Sequence, residues 1–315
     1  MVLKVSDLYL SSGEEGKERE ILRGVNLDIE PAETIGLVGE SGAGKSMLTL
    51  AIMGLLPSAV EVKKGRIEFL GREILGNPKE QTNIRGRQIG IIFQDPTASL
   101  DPLYRVGYQV AEGMKGKGRE GWRERVSDLF SRVEFKEPET ILYRYPHQIS
   151  GGEKQRIMIA IALSQKPALL LADEPTASLD ARTGQGIISL LERVQKEMRL
   201  AILFISHNLP LVSRVARRIA IMYAGQILET GFTRDVMEHP LHPYTRLLYA
   251  ALPDPQKRGS PLATVPGYPE KGEVGADICA FYHRCPERDI RCQQGTPALA
   301  ELTPCHWAAC FRAEG

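Results

Sequence analysis

The run Thr34-Ile35-Gly36-Leu37-Val38, then Gly39-Glu40-Ser41-Gly42-Ala43-Gly44-Lys45-Ser46, then Met47-Leu48-Thr49-Leu50-Ala51-Ile52-Met53 leaves this chain few ways to fold. A short apolar strand must enter a glycine-rich loop and leave it as an apolar helix, which Gly54 and Pro57 bring to an end. The loop satisfies G-x-x-x-x-G-K-[ST] without a mismatch. Its glycines let the backbone wrap closely, so that successive N–H groups point at phosphate oxygens, and the helix turns its positive end to the same anion. Lys45 is the residue to reach the β- and γ-phosphates, and the Ser46 hydroxyl is placed to ligate Mg²⁺. A flexible glycine turn is the bland alternative. The strand before the loop and the helix after it favour the phosphate site.

Such a loop needs an acidic partner at the end of a buried strand, and Leu169-Leu170-Leu171-Ala172-Asp173-Glu174 offers two. Asp173 would hold Mg²⁺, directly or through water, and Glu174 would orient and polarise the water that attacks a γ-phosphate. From Gly152 onward helical and strand-like stretches alternate, with nearly continuous apolar strands, which implies a mostly parallel sheet covered on both faces. Strand-like VLKVSDLYL and GVNLDI flank the polar run SSGEEGKERE, read as a hairpin tip. The stretch from about 103 to 147 reads as helical, broken by the glycine-rich GMKGKGREGW. The expected fold is therefore α/β: a P-loop core with an N-terminal antiparallel β subdomain and a helical insert at about 95–150, together spanning 1–235. A loop-rich, cysteine-containing extension covers 236–315. Forty Lys and Arg against 39 Asp and Glu give +1, which argues against a chain whose main task is coating nucleic acid or an anionic membrane. No apolar run approaches the roughly 20 residues that cross a bilayer.

Further residues give this core a specific resemblance. Ile149-Ser150-Gly151-Gly152-Glu153 resembles the signature that ABC ATPases write as L-S-G-G-Q. Gln94 matches that family's Q-loop, Ser178-Leu179-Asp180 its D-loop and His207 its switch histidine, all in the family's order. The resemblance implies that ATP is touched by Gly39, Ser41, Gly42, Gly44, Lys45, Ser46 and Met47. It implies Mg²⁺ held by Ser46, Gln94 and Asp173, and catalytic roles for Glu174, His207 and Gln94. Ser150, Gly151 and Gly152 would face the ATP of a partner subunit in a head-to-tail dimer. Two departures stand out: Ile149 for Leu and Glu153 for Gln, both expected to be tolerated. The adenine-stacking aromatic has no clear counterpart, since Tyr9 is early in the hairpin, and Ile21 is an aliphatic alternative.

Phe93-Gln94-Asp95-Pro96, the run YPHQISGGEKQRIMIAIAL and His242-Pro243-Tyr244-Thr245-Arg246 are similar to the ATP-binding subunits of bacterial oligopeptide, dipeptide and nickel importers. So is C-x-F-x-x-R-C at Cys279–Cys285, after Val265-Pro266-Gly267-Tyr268-Pro269. That branch implies ATP-driven import of di- or oligopeptides, with nickel or another small solute as the alternative and a soluble non-transport ATPase as a third class. It implies a heterodimer with a second homologous ATPase, two permease subunits and an external binding protein, no nucleic acid, and a place at the cytoplasmic face of the inner membrane. All five cysteines, Cys279, Cys285, Cys292, Cys305 and Cys310, fall in the last 37 residues, by the numbering of the chain. Their spacing fits neither the usual zinc templates nor the common ferredoxin pattern, so buried thiols and zinc stay open on spacing alone. The resemblance implies a [4Fe–4S] cluster on Cys279, Cys285, Cys292 and Cys310, with Cys305 extra or a substitute.

Overall fold

The computed structural model describes residues 1–14, 17–114, 121–252, 264–267 and 278–313. The first half of the chain contains β1 (Leu3–Glu14), β2 (Lys17–Ile29), β3 (Thr34–Val38), α1 (Lys45–Met53), β4 (Val60–Phe69), β5 (Arg72–Glu73), α2 (Pro78–Ile84), β6 (Ile89–Ile92), α3 (Pro96–Ser99), α4 (Val106–Gly113), α5 (Trp122–Arg132), α6 (Pro138–Ile141) and α7 (Gly151–Leu163). The second half contains β7 (Leu169–Asp173), α8 (Ala181–Met198), β8 (Ala201–Ser206), α9 (Leu209–Val215), β9 (Arg218–Tyr223), β10 (Gln226–Phe232), α10 (Thr233–Glu238), α11 (Pro243–Ala250), α12 (Ile290–Gln294), β11 (Ala300–Thr303) and β12 (His306–Ala308). The chain folds as two compact units.

One unit comprises Met1–Val2, Ile29–Thr34 and Gly76–Ile205. Its strands β6, β7 and β8 are parallel neighbours, with Leu171 opposite Ile91 on one side and Leu203 on the other. Every residue of β7 is buried, as an apolar strand paired on both edges requires. Helix α7 lies so close to β6 that a Cβ on Gly90 would stand 2.6 Å from the Ala162 carbonyl oxygen. The insert is helical as expected, from α3 to α6. The predicted flexible connection falls mostly on residues 115–120, outside the described residues.

The other unit comprises Leu3–Asp28, Ile35–Leu75 and Ser206–Gly315. It holds the antiparallel subdomain, ordered β2-β1-β4-β5, and a second set of strands ordered β11-β12-β10-β9-β3. The tip of the polar run, residues 15 and 16, lies outside the described residues. Strand β3 runs parallel to β9, whereas β10 is antiparallel to both β9 and β12. The C-terminal extension thus adds its own hairpin to the strands of this unit. That pairing is not visible in the sequence, because β11 and β12 are short and carry no sustained apolar alternation.

Candidate nucleotide site and cysteine pocket

The phosphate loop joins β3 to α1 as its sequence requires. Gly44 sits at φ 104 as the residue before α1, with no side chain capping the helix's first N–H groups, so those donors face the loop. Lys45 is 7% exposed, and its Nζ donates to the carbonyls of Gly39 at 2.7 Å and Glu40 at 3.0 Å. Gly225 N–H donates to the Ala43 carbonyl at 2.9 Å and ties the loop to the β9–β10 turn. Gly39, at the end of β3, is pressed against backbone: a Cβ there would meet the Met222 carbonyl oxygen at 2.2 Å. Ser41, Gly42 and Ser46 are exposed and Met47 is half-buried. The backbone of Ile21 reaches Gly44, since a Cβ on that glycine would lie 3.2 Å from the Ile21 carbonyl. Tyr9 lies instead beside Gly24 and under the Lys64 ammonium, 5.6 Å from its ring centre. His207 follows β8 and is exposed. Asn208 behind it caps α9 by accepting from Leu211 N–H at 3.1 Å.

In the other unit, Asp173 ends the buried strand β7 and Glu174 follows it, with 8% and 9% exposure. Glu174 has φ 50 while its N–H donates to the Ile205 carbonyl at 3.0 Å. A left-handed backbone on a non-glycine residue at a strand end is the kind of strain that re-aims a functional side chain. Gln94 is exposed just after β6, and Asp95 starts α3 by accepting from Thr97 and Ala98 N–H at 2.7 and 3.2 Å. Lys154 on α7 donates to Thr97 at 3.3 Å, so the segment after Gln94 is tied to the signature helix.

Ser150 caps that helix and accounts for one of the two departures. Glu153 N–H donates to Ser150 Oγ at 3.3 Å, and Ser150 N–H and Oγ donate to Glu153 Oε2 at 2.8 and 2.7 Å. Glu153 therefore completes a capping box that Gln would also complete. Gly152 is a packing glycine, because a Cβ there would meet Thr183 Cγ2 at 2.5 Å. Asp180 caps α8, and the Thr183 hydroxyl and N–H hold its carboxyl below the usual range.

The extension gathers four of its five cysteines. Cys279, Cys285, Cys292 and Cys310 are all buried and line one small pocket with His242, Phe281 and Tyr282. Burial pushes the Cys279 thiol up to about 12, and burial also raises Cys285 and Cys310. Such thiols ionise readily only against a positive centre. Cys305 is exposed, at φ 59 in the β11–β12 turn, and donates its N–H to Glu301 at 2.7 Å. Among the described residues no three His, Cys, Asp or Glu side chains converge as the ligands of a single ion would.

Two features of this unit had no signal in the sequence. Buried Glu229 accepts from the N–H groups of Leu241 and His242 at 2.8 and 2.9 Å and pairs with His306 Nε2 at 2.7 Å. Arg284, inside the C-x-F-x-x-R-C segment, reaches Glu40 of the phosphate loop at 2.9 and 3.1 Å.

Residues 22–177 match the family model described as ABC transporter, and 228–292 match that of the oligopeptide/dipeptide transporter C-terminal region. The chain is 38% identical to the dipeptide transport ATP-binding protein DppD of Escherichia coli, over 97% of this chain and 96% of that protein. It is also 38% identical to the oligopeptide transport ATP-binding protein OppD of Escherichia coli, over 99% and 93% of the two chains. Among solved structures it is similar to a dimeric ATP-binding cassette in a post-hydrolysis state bound to ADP and Pi. That likeness has a TM-score of 0.66 and 27% identity, and covers 74% of this chain and 99% of that one.

Proposed function

This chain belongs to the ABC transporter family of ATPases, and from that premise we propose that it is the ATP-hydrolysing subunit energising binding-protein-dependent import of di- or oligopeptides. The observation that carries the reading is the reach of the similarity: 38% identity to a dipeptide transport ATP-binding protein extends over 97% of the chain, extension included. A generic cassette likeness would stop at the core.

In this reading the Gly39–Ser46 loop, with Met47, wraps the phosphates, and Lys45 exchanges its loop carbonyls for the β- and γ-phosphate oxygens. Ser46, Gln94 and Asp173 are the oxygen donors for Mg²⁺, a hard cation suited to that set, which would offset phosphate charge. Glu174 orients the attacking water, and its strained backbone favours that role. His207 contacts the γ-phosphate. Ser150, Gly151 and Gly152 present a capped helix start to the ATP of a second, homologous ATPase, so that ATP closes the pair and hydrolysis releases it. The Leu103, Tyr104, Arg105, Tyr108 and Tyr145 cup on the helical insert serves as the contact for the permease subunits. Leu103 is 80% exposed there, and Tyr104 and Tyr108 are exposed beside it, an apolar and aromatic set of the kind that protein interfaces favour. Among the described residues no helix is long and apolar enough to cross a membrane. In this reading the chain sits at the cytoplasmic face of the inner membrane, held by the permeases.

As part of the same proposal, the cysteine pocket would hold a [4Fe–4S] cluster, with zinc as the alternative. Four buried soft donors line one pocket, a set whose chemistry suits an iron–sulfur centre. The cluster would supply the positive centre that buried thiolates require.

The test is uptake by proteoliposomes holding the assembled transporter. ATP-dependent accumulation of labelled dipeptide, lost in Glu174→Gln, supports the reading. Nickel uptake without peptide uptake would overturn it.

A further inference from the structure

Arg284 links the phosphate loop to the segment that carries the cysteine pocket. It is 8% exposed. Its fork donates Nη1 to Glu40 Oε2 at 2.9 Å and Nη2 to Oε1 at 3.1 Å, the bidentate geometry that fixes both partners. Nε donates to the Pro266 carbonyl at 2.7 Å and Nη1 to Tyr223 Oη at 3.3 Å. The guanidinium also lies 5.5 Å from the Tyr223 ring and 6.0 Å from the Phe281 ring. Glu40 is held at three points: its carboxylate by Arg284, its N–H by Tyr244 Oη at 3.3 Å, and its carbonyl by Lys45 Nζ at 3.0 Å. Tyr223, Tyr244 and Phe281 pack on one another with ring centres 4.8 to 5.2 Å apart. The loop is thus gripped by the extension.

Arg284 also sits in the helical turn Tyr282–Arg284, directly before Cys285. Arg284 N–H donates to the Phe281 carbonyl at 3.1 Å and Cys285 N–H to the Tyr282 carbonyl at 3.3 Å, so one hydrogen-bonded turn carries both the loop's clamp and a cysteine of the pocket.

We propose that Arg284 is a positioning residue for ATP binding: it holds the phosphate loop through Glu40, so nucleotide affinity depends on the state of the cysteine pocket. The proposal rests on the reading of Gly39–Ser46 as the ATP site. A loop whose second residue is clamped loses less freedom when phosphate arrives. Arg284→Gln should therefore weaken binding of a fluorescent ATP analogue to the full chain roughly tenfold, from the strength of charge-assisted bidentate bonds. Iron and sulfide content should stay unchanged, which a general structural loss would not allow. Glu40→Gln, at a half-buried side chain, should lose as much, and the double variant no more than either alone. Cys285→Ser should weaken binding in the parent and add little in Arg284→Gln. Arg284→Lys should recover only part, since an ammonium lacks the fork. Wild-type affinity in both Arg284→Gln and Glu40→Gln would overturn the proposal, as would fully additive effects of Arg284→Gln and Cys285→Ser. Undiminished binding by Lys45→Ala would instead sink the ATP-site reading beneath it.

Discussion

The three loop glycines are needed for different physical reasons, and alanine at each should separate them. At Gly39 the obstacle is space. A Cβ would stand 2.2 Å from the Met222 carbonyl oxygen and 3.2 Å from Ala43 Cβ, whereas carbon and carbonyl oxygen ordinarily approach to about 3.3 Å. Backbone must therefore move by about 1 Å. The atom that moves belongs to β9, beyond the rung Val38–Ile221 that ends its pairing with β3, so relief comes at the expense of that ladder. Overpacking of this kind costs about 1–3 kcal/mol, sometimes more. At Gly42 the obstacle is conformation alone: φ is 82 and nothing lies within 4 Å of the missing Cβ. The left-handed penalty for alanine is about 1–2 kcal/mol, and asparagine, which tolerates that region, should lose less. Gly44 combines both, with φ 104 and Leu22 Cδ2 at 2.7 Å. Thermal unfolding of the full chain should rank Gly39→Ala and Gly44→Ala below Gly42→Ala, and that below Gly42→Asn. With about 2–4 °C per kcal/mol for domains of about 150–250 residues, the extremes should differ by several degrees. Gly42→Asn should also keep measurable nucleotide binding. If Gly39→Ala melts at or above Gly42→Ala, the close approach to β9 is not what requires glycine there.

Other sites give further tests. Glu153→Ala should lower thermal stability by about 1 kcal/mol through loss of the capping box, while Glu153→Gln stays close to the parent. Serine at Cys279, Cys285, Cys292 or Cys310 should abolish stoichiometric iron and sulfide, whereas Cys305→Ser keeps them; a colourless parent with stoichiometric zinc would defeat the cluster. Leu103→Asp should reduce co-purification with the permeases and leave ATP-analogue binding by the isolated chain unchanged. Burial, with Arg246 adding to it and Glu229 opposing, pushes the His242 imidazole down to about 4, and its Nδ1 accepts from Tyr244 N–H at 3.0 Å. Between pH 6.5 and 4 the unfolded chain binds the extra proton. That stability is thus complete above pH 6.5 and lost as pH falls toward 4, by about 3 kcal/mol in all. His242→Asn should flatten this part of the pH–melting curve.

What could be read from the sequence was what is local. The phosphate loop, the strand ending in Asp173 and Glu174, and the capped helix after Ser150 each announce themselves within about ten residues, because turn chemistry and period-2 or period-3.6 patterning act at that range. The capping box at Ser150-x-x-Glu153 is a local signal of the same kind. Glu40 and Arg284 are 244 positions apart, and nothing in either segment names the other. Likewise His306 and its partner Glu229 on β10 lie 77 residues apart. Pairings of that kind are decided by tertiary packing, which a single sequence does not encode in any local pattern.

These long-range pairings change what the extension means physically. Sequence character shifts near residue 235, yet hydrogen bonding does not. Glu229 is fully buried, and every partner described for its carboxylate, the N–H groups of Leu241 and His242 and the ring of His306, comes from beyond that point. A buried carboxylate persists only where such partners are supplied. Strand β12 adds to this by pairing Gly231 with His306 and Glu229 with Ala308, covering an edge that β10 would otherwise present. Arg284 then reaches from the same segment to the phosphate loop. An appendage that merely carried cysteines would need none of these bonds. The extension instead supplies the partners of a buried carboxylate, a strand and a loop clamp to the unit that holds Lys45, so the segment carrying the cysteine pocket is bonded directly to the phosphate loop.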